Sequence, residues 1–291
     1  MRARLGNDQF VKSHALGNDY IVLDGNQLSR PLTPTTIRRI CDIHYGIGSD
    51  GILLLTPGEG ADFGVRIFNP DGGEAEKSGN GLRILAKFLY DHGYVEKTDF
   101  TVSTAGGTVR AKLHLQAEQV TAITMEMGRA TFLNTDIPVA GARREVVKEP
   151  LEVEGRRLIV TCVSVGNPHC VIFTDALDVD EVKCLGPKIE HHPSFPNRIN
   201  VQFAQVLSRD LVSILIWERG AGYTLASGTS SCAVAAASVR NGLTNGHITI
   251  VSPGGELRVS VAENWDLTLT GPASEIARGS LSQDLLRSLP A

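Results

Sequence analysis

The sequence has no basic cluster, no long apolar run and no excess of one charge. Its 28 lysines and arginines nearly balance 32 acidic residues, for a net charge of −4. That balance argues against a nucleic-acid or anionic-membrane surface. The longest apolar runs are of strand length or are broken by Gly, Ser and charges, which predicts no membrane span. The first ten residues, MRARLGNDQF, have no apolar segment behind their arginines and predict no signal peptide.

Cysteine is scarce, and it lacks the spacing that a disulfide framework or a zinc site requires. Five cysteines are widely spaced and form no CxxC pair: Cys41, Cys162, Cys170, Cys184 and Cys232. An odd number in this arrangement predicts reduced thiols in a cytoplasmic protein. The pair His191-His192 has no acidic or cysteine neighbour at ligand spacing, so it predicts a solvated loop and no metal site.

What the sequence does contain is an internal repeat. The stretch LASGTSSC at 225–232 is echoed by EKSGNGLR at 76–83, with Ser227 lying 149 positions after Ser78. The same offset relates further pairs: Gly17-Asn18 with Gly166-Asn167, Phe68-Asn69 with Trp217-Glu218, and Gly93 with Gly242. Because these matches keep their order along the chain, we interpret the sequence as two homologous halves.

Each half repeats one plan of short strands around a single helix. The plan predicts an α+β fold of two pseudo-symmetric halves, each a mixed or antiparallel sheet wrapped around a central helix. The predicted parts are an N-terminal half (11–130), a linker with the entry to the second half (131–159), a C-terminal half (160–273) and a C-terminal tail (274–291).

Local signals predict the individual elements. Helices are expected at 35–44 with Thr35 as the cap, at 179–190 ending near Gly186-Pro187, and after the two serines at 82–90 and 232–240. Gly93 and Gly242 are expected to stop the last two helices. Strands are expected at 20–24, 62–68, 122–128, 170–175, 211–217 and 266–272, with hairpins at 101–113 and 249–261.

The two serine turns are candidates for a shared anion site. Each turn sets N–H groups at the start of a helix, where intrahelical partners are missing and the helix dipole favours negative charge. If the halves face each other about a pseudo-twofold axis, both helix starts converge on one cleft. A small carboxylate or amino acid would then be held between Ser78 and Ser227.

A simpler alternative exists for every residue of this set. Serine before glycine at a helix start is commonly only an N-cap. Asn18, Asn69 and Asn167 also suit turns, and Asn200 could merely open a strand. The pair Glu218-Arg219 could be exposed at a sheet edge, and His169 is expected to be a packed core residue.

The ordered motifs resemble those of diaminopimelate epimerases. They are LGND, RIFNPDGGEAEKSGNGLR, STAGG, GNPH, RINVQF, ERGAGYTLASGTSSCA, PGG and TGPA, and they cover residues 11–275. The resemblance implies an active site in a cleft between two α+β halves. It also implies a homodimer that uses no pyridoxal phosphate, no other cofactor and no metal. In the family, two catalytic cysteines act on opposite faces of the substrate α-carbon.

Carried onto this chain, the resemblance assigns the site residue by residue. Ser78 and Ser227 stand at the two catalytic positions. Asn18, Asn69, Asn167 and Asn200 would contact the substrate, and Glu218 with Arg219 would grip its distal amino-acid end. The pairs Gly79-Asn80 and Gly228-Thr229 would offer backbone N–H groups to the α-carboxylate.

The catalytic positions are also where the sequence departs from the family. Both cysteines are replaced by serine, Tyr223 stands where glutamate is usual, and Gly73 replaces a serine. A thiol with a pKa of about 8.5, lowered at a helix start, can be an anion near neutral pH. A serine hydroxyl cannot, and no His or Lys beside either serine is recognisable as a base. General acid–base catalysis favours a pKa near the working pH, so a serine pair predicts much slower proton transfer.

Three functions therefore stay open. In the first, the chain is a diaminopimelate epimerase-like enzyme of lysine and peptidoglycan precursor synthesis with impaired or altered proton transfer at Cα. It is then either a natural serine variant or a doubly substituted form made to trap substrate. Alternatively, it is a sister isomerase, racemase or dehydratase acting on another small amino acid, which Tyr223 favours. In the third alternative it binds a zwitterionic amino acid without catalysis.

Overall fold

A computed structural model describes residues 3–289 of the chain. The chain forms two compact units: the first runs through Met125 and resumes at Gly271, and the second spans Glu126–Thr270. Strands dominate both units and helices are few, which confirms the predicted α+β class. The boundaries of the halves that the sequence suggests stay a prediction.

The elements of the first unit are strands β1 to β8 and β18 with three helices. Their bounds are β1 Gln9–Ala15, β2 Asn18–Asp24, α1 Pro34–Cys41, β3 Ile52–Thr56, β4 Phe63–Phe68, β5 Glu74–Ala75, α2 Gly79–Asp91, β6 Asp99–Thr104, β7 Gly107–Gln116, β8 Gln119–Arg129, β18 Ser274–Ser280 and α5 Gln283–Ser288. A 3-10 turn spans Gly25–Gln27, and β8 runs past the end of the unit.

The second unit contains strands β9 to β17 and two helices. Their bounds are β9 Glu149–Val153, β10 Arg156–Ser164, β11 Pro168–Phe173, α3 Val179–Glu190, β12 Asn200–Ser208, β13 Leu211–Glu218, β14 Gly222–Thr224, α4 Gly228–Arg240, β15 His247–Ser252, β16 Gly255–Val261 and β17 Asp266–Gly271.

The two units share one strand topology. In the first, the strands pair in the order β18-β1-β2-β3-β4-β6-β7-β8, with β5 added to β4. In the second, the order is β9-β10-β11-β12-β13-β15-β16-β17, with β14 added to β13. The parallel pairs also correspond, β2–β3 and β4–β6 with β11–β12 and β13–β15. This match is the structural form of the sequence repeat.

One buried helix occupies the same place in each unit. Helix α2 packs on β1, β2 and β7, and α4 packs on β10, β11, β12, β15 and β16. Helix α2 buries large side chains such as Leu82, Leu85 and Phe88, whereas α4 buries the small-residue run 232–238. Small side chains let strands approach α4 closely, because packed interiors leave few voids.

The two glycine stops predicted for the helices are confirmed, whereas several other helix boundaries are not. Gly93 (φ +68°) and Gly242 (φ +74°) follow the ends of α2 and α4 in the left-handed conformation, as expected of C-terminal stops. The predicted Thr35 cap is wrong. Thr33 caps α1, with Pro34 at the first helical position, where the missing N–H of proline costs nothing.

Four helix boundaries also differ from prediction. Helix α1 ends at Cys41, three residues before the predicted end at 44. Helix α3 continues through Pro187 to Glu190 instead of ending near Gly186. Trp217 packs so closely on Gly186 that a Cβ there would lie 2.5 Å from the indole Cγ, and this contact helps to hold the last turn. Helices α2 and α4 begin at Gly79 and Gly228, three and four residues earlier than predicted, because each serine caps directly. Within residues 3–289, no helix is both long and apolar enough to cross a membrane.

Candidate active site

Ser78 and Ser227 occupy the same local geometry, one in each unit. Both are N-caps with extended backbone, at φ −136° and ψ 116° for Ser78 and φ −146° and ψ 126° for Ser227. The Oγ of Ser78 accepts the Gly81 N–H at 3.1 Å, and the Oγ of Ser227 accepts the Ser230 N–H at 3.4 Å. The simple capping role is therefore present at both sites, and it stabilises each helix by about 1 kcal/mol.

A phenol accompanies the cap of α2. The hydroxyl of Tyr20, on β2, lies 3.2 Å from Ser78 Oγ. Tyr20 is 6% exposed, whereas Ser78 keeps a partly exposed surface. Since Ser78 Oγ already accepts the Gly81 N–H, a Tyr20 hydroxyl that donates leaves the Ser78 proton free to point elsewhere.

A chain of polar groups orients the two asparagines near Ser78. The buried guanidinium of Arg83 donates to Asn80 Oδ1 at 2.8 Å and to the Gly79 carbonyl at 3.1 Å. Asn80 Nδ2 donates to Asn18 Oδ1 at 3.1 Å, and Asn18 Nδ2 donates to Asp50 Oδ2 at 3.0 Å. Each amide has one end that donates and one that accepts, so this chain fixes the orientation of both.

A carboxylate accompanies the cap of α4. The carboxyl of Glu218, at the end of β13, lies close enough to the Ser227 side chain for that hydroxyl to affect its pKa. Burial raises the pKa of Glu218 above its ordinary value, and the Ser227 hydroxyl lowers it by a smaller amount. Glu218 nevertheless keeps some accessible surface. A carboxyl with a raised pKa beside a hydroxyl is an arrangement typical of general bases.

A second polar chain surrounds Asn167, at the position equivalent to Asn18. Asn167 Nδ2 lies 3.5 Å from Thr229 Oγ1, and its Oδ1 lies 2.8 Å from Nε2 of His169. His169 is fully buried, as expected of a core residue, yet this contact also connects it to the site. Burial lowers its pKa to about 3, with a further lowering from the nearby positive charge of Arg219. The imidazole is therefore neutral at physiological pH.

Gln202 completes the surroundings of His169. Its Nε2 donates to Ser230 Oγ at 3.0 Å, and the side chain faces His169 closely enough to raise the histidine pKa somewhat. Even so, His169 Nδ1 and Gln202 Oε1 are both buried without a partner in good hydrogen-bond geometry. A neutral imidazole donates from only one nitrogen, so it cannot satisfy two amide oxygens. If the amide oxygen and nitrogen of either Asn167 or Gln202 exchange places, every neighbour can pair a donor with an acceptor. The hydrogen bonds then run without a break from Thr229 through Asn167, His169 and Gln202 to Ser230.

The remaining predicted residues lie around the turns that follow β4 and β13. Asn200 is buried, donates from Nδ2 to the Pro168 carbonyl at 2.8 Å and accepts the Arg219 N–H at 2.9 Å. The Arg219 side chain is exposed and donates to the Asn197 carbonyl at 3.2 Å. Asn69 is exposed, and its backbone closes the turn by accepting the Gly72 N–H and donating to Gly73. Tyr223 packs on the core of its unit, with the Lys183 ammonium 5.4 Å from the ring centroid.

Within the first unit, then, Asn18, Gly79 and Asn80 are joined to Ser78 through the start of α2. Within the second, Asn167, Glu218, Gly228 and Thr229 gather at the start of α4, and Asn200 and Arg219 lie beside the turn after Glu218. Tyr20, Arg83, Asp50, Gln202 and Ser230 were not predicted from the sequence. Two signals pointed to some of them: Tyr20 is the repeat equivalent of His169, and Arg83 and Gln202 are polar residues inside apolar runs.

Comparisons with known proteins show the family of the chain. A sequence model described as diaminopimelate epimerase matches residues 10–133 and 161–276. The chain belongs to the diaminopimelate epimerase family. Two curated relatives are diaminopimelate epimerase 2 of Nostoc sp. strain PCC 7120, 45% identical over 95% of this chain and 96% of that protein, and diaminopimelate epimerase of Moorella thermoacetica, 41% identical over 94% and 99%.

More distant structures share the fold of this diaminopimelate epimerase family member. A probable proline racemase from Agrobacterium radiobacter superposes with a TM-score of 0.72, over 95% of this chain and 93% of that one, at 18% identity. Such a likeness speaks for the fold alone. The predicted family resemblance is confirmed, and the family consists of isomerases.

Proposed function

We propose that this chain is a cofactor-independent amino-acid epimerase that moves the α-proton of a small zwitterionic amino acid. LL- and meso-diaminopimelate are the first candidate substrates, and serine at both acid/base positions impairs or alters the proton transfer. The observation that carries the proposal is the Glu218 carboxyl lying beside Ser227, the N-cap at the start of α4. It supplies a base that the serine hydroxyl lacks by itself.

The proposed chemistry uses the two helix starts for opposite steps. As Ser227 Oγ takes the proton from Cα, its own proton passes to the Glu218 carboxylate. On the other face, Ser78 gives its proton to the carbanion while the Tyr20 hydroxyl gives one to Ser78. Protonated Glu218 and deprotonated Tyr20 then return to their starting forms by exchange with solvent. A concerted relay of this kind avoids a free serine anion, which is not accessible near neutral pH.

The proposed binding roles follow the family resemblance. Backbone N–H groups of Gly79, Asn80, Gly228 and Thr229 would hold the α-carboxylate, since helix starts favour anions. The amides of Asn18, Asn69, Asn167 and Asn200 would contact the rest of the substrate. Glu218 and Arg219 would grip the distal amino-acid end of the substrate, and Glu218 would also accept the proton of Ser227. The proposal includes a cytoplasmic homodimer.

Two other functions remain candidates. A sister isomerase, racemase or dehydratase on another small amino acid is favoured by Tyr223, which fills the position of a family glutamate. A non-catalytic amino-acid-binding protein is favoured by the serines themselves, since a binding shell does not need an acid or a base.

The deciding experiment is exchange of the α-hydrogen with deuterated solvent, followed by NMR or mass spectrometry. Wild-type protein and Ser78→Cys/Ser227→Cys would be incubated with LL- and meso-diaminopimelate and with a panel of other amino acids. We expect slow exchange on diaminopimelate by the wild type and exchange at least 100-fold faster with both cysteines. Exchange by the serine form on a different amino acid alone would support the sister enzyme. Binding without exchange in either form would support the binding protein.

A further inference from the structure

Glu190, the last residue of α3, is a buried carboxylate outside the set of site residues considered so far. It is 3% exposed. Its Oε2 accepts the Trp217 indole N–H at 2.8 Å, and its Oε1 accepts the Gly220 backbone N–H at 2.9 Å. The guanidinium of Arg198 lies 3.3 Å from Oε1, and Nε2 of His191 lies 4.0 Å from it. A carboxylate is retained in such a place only when charged or hydrogen-bonding partners compensate its lost hydration.

Two of these partners, Trp217 and Gly220, flank Glu218 and Arg219 in the turn that follows β13. The turn is closed by the Ala221 N–H, which donates to the Glu218 carbonyl at 3.1 Å. Gly220 adopts φ +80°, a conformation that glycine reaches without strain. Asn200 takes the Arg219 N–H and Glu190 takes the next one, from Gly220. Two successive N–H groups of the turn are thus held by side chains from β12 and α3.

Trp217 adds a second point of attachment directly before Glu218. Its ring packs on Gly186 of α3, and its indole N–H donates to the same carboxylate that holds Gly220. Glu190 therefore holds the residue before Glu218 and the residue after Arg219. Hydrogen bonds to an ionised group are stronger than those between neutral groups, so this carboxylate restricts the turn from both sides.

We infer that Glu190 is a positioning residue for the reaction. It acts through Trp217 and Gly220 to hold Glu218 against Ser227 and to direct Arg219. It does not itself touch the reacting atoms. The inference rests on the proposed function for its effect on catalysis, whereas its hold on the turn is independent of that function.

The test compares Glu190→Gln with Glu181→Gln. Glu181 lies on the same helix and forms a surface ion pair with Arg156, so its substitution removes a charge without touching the turn. In Glu190→Gln, one oxygen becomes an NH2 group that cannot accept from Trp217 or Gly220. In Glu190→Gln we expect the rate of α-hydrogen exchange to fall about 10- to 100-fold. The loss should be mainly in kcat if Glu218 is displaced. The rate of Glu181→Gln should be unchanged.

Two readouts do not depend on activity. The indole N–H resonance of Trp217 and the amide resonance of Gly220 should move upfield in Glu190→Gln, and amide hydrogen exchange across 218–222 should become faster. Trp217 is one of only two tryptophans, so a Trp265→Phe background isolates its signal. If Glu190→Gln does not fold, Trp217→Phe removes one of the two attachments and should give a smaller change of the same kind.

Resonances and amide exchange that do not change would overturn the hold on the turn. Changed resonances with unchanged kcat and KM would overturn the role in the reaction and leave Glu190 a structural residue. Absence of α-hydrogen exchange in the wild type on every amino acid would refute the proposed function instead. In that case the NMR readouts still decide whether Glu190 holds the turn.

Discussion

The starts of α2 and α4 are equivalent in fold and unequal in chemistry. Each is capped by serine in the same backbone conformation and lies at the same place in one strand topology. At α2 the serine meets the phenol of Tyr20, and at α4 it meets the carboxyl of Glu218. Neither partner has a chemical counterpart in the other unit. The repeat places His169 at the position of Tyr20, and Asn69 at the position of Glu218.

Under the proposed function, this difference would assign the two proton-transfer steps to equivalent positions of the repeat. A carboxylate takes a proton readily, whereas a neutral phenol is a donor. The half with Glu218 is thereby suited to removing a proton, and the half with Tyr20 to returning one. The duplicated backbone places the two serines in the same geometry. The side chain beside each serine would decide whether it removes or returns a proton.

The largest expected effect comes from removing the carboxylate of the second unit. In Glu218→Gln we expect the rate of α-hydrogen exchange to fall by about 100- to 10,000-fold, the usual contribution of a positioned general base. The control is Glu263→Gln, an exposed glutamate of the same unit, which should leave the rate unchanged. An equal rate in Glu218→Gln and wild type would remove the proposed asymmetry between the units.

The pH dependence of exchange should report the same carboxylate. Burial raises the pKa of Glu218 above its ordinary value of 4.5, and the ionised form is the one that accepts a proton. The rate should therefore rise about tenfold per pH unit below the raised pKa and level off above it. An acid limb at or below the ordinary value would contradict this assignment. His169 should not appear in the profile above pH 5, because its pKa is lowered to about 3.

His169 should instead affect stability in acid. Its folded-state pKa of about 3 lies below the ordinary 6.5, so the unfolded chain binds the proton first as the pH falls. The contribution is complete above pH 6.5 and is lost towards pH 3. At pH 5 the loss is about 2 kcal/mol of unfolding free energy. The free energy of unfolding would be measured with denaturant at pH 7 and at pH 5, and the drop between the two compared. In His169→Gln this drop should be smaller by about that amount, and a drop equal to that of the unsubstituted protein would contradict the assignment.

The smallest expected effect concerns the phenol of the first unit. Tyr20→Phe removes the hydroxyl 3.2 Å from Ser78 Oγ and keeps the ring. Because Ser78 is partly exposed, solvent can supply the proton that Tyr20 would give. Only the neutral hydrogen bond is then lost, worth about 1 kcal/mol, so exchange should slow about two- to tenfold. The matched control is Tyr90→Phe, because Tyr90 lies on α2 at the end opposite Ser78. A loss as large as that of Glu218→Gln would mean that the two helix starts contribute equally.

Much of the fold could be predicted from the sequence because the repeat is local and ordered. Glycine stops, hairpins and the serine turns each depend on a few neighbouring residues, and most of them are confirmed. The extension of α3 through Pro187 depends on Trp217, which is distant in the sequence, so local signals could not reveal it. The same reason explains the missed contacts of Tyr20 and Gln202, since pairing across strands decides which polar residues meet.

The most direct measurement for the central claim is a crystal structure of the protein with meso-diaminopimelate or an unreactive analogue bound. We expect one ligand, with its α-carboxylate on the N–H groups of Gly79, Asn80, Gly228 and Thr229. The hydroxyls of Ser78 and Ser227 should lie on opposite faces of its α-carbon. A ligand bound at one helix start alone, with the other serine too far to reach the same carbon, would contradict it.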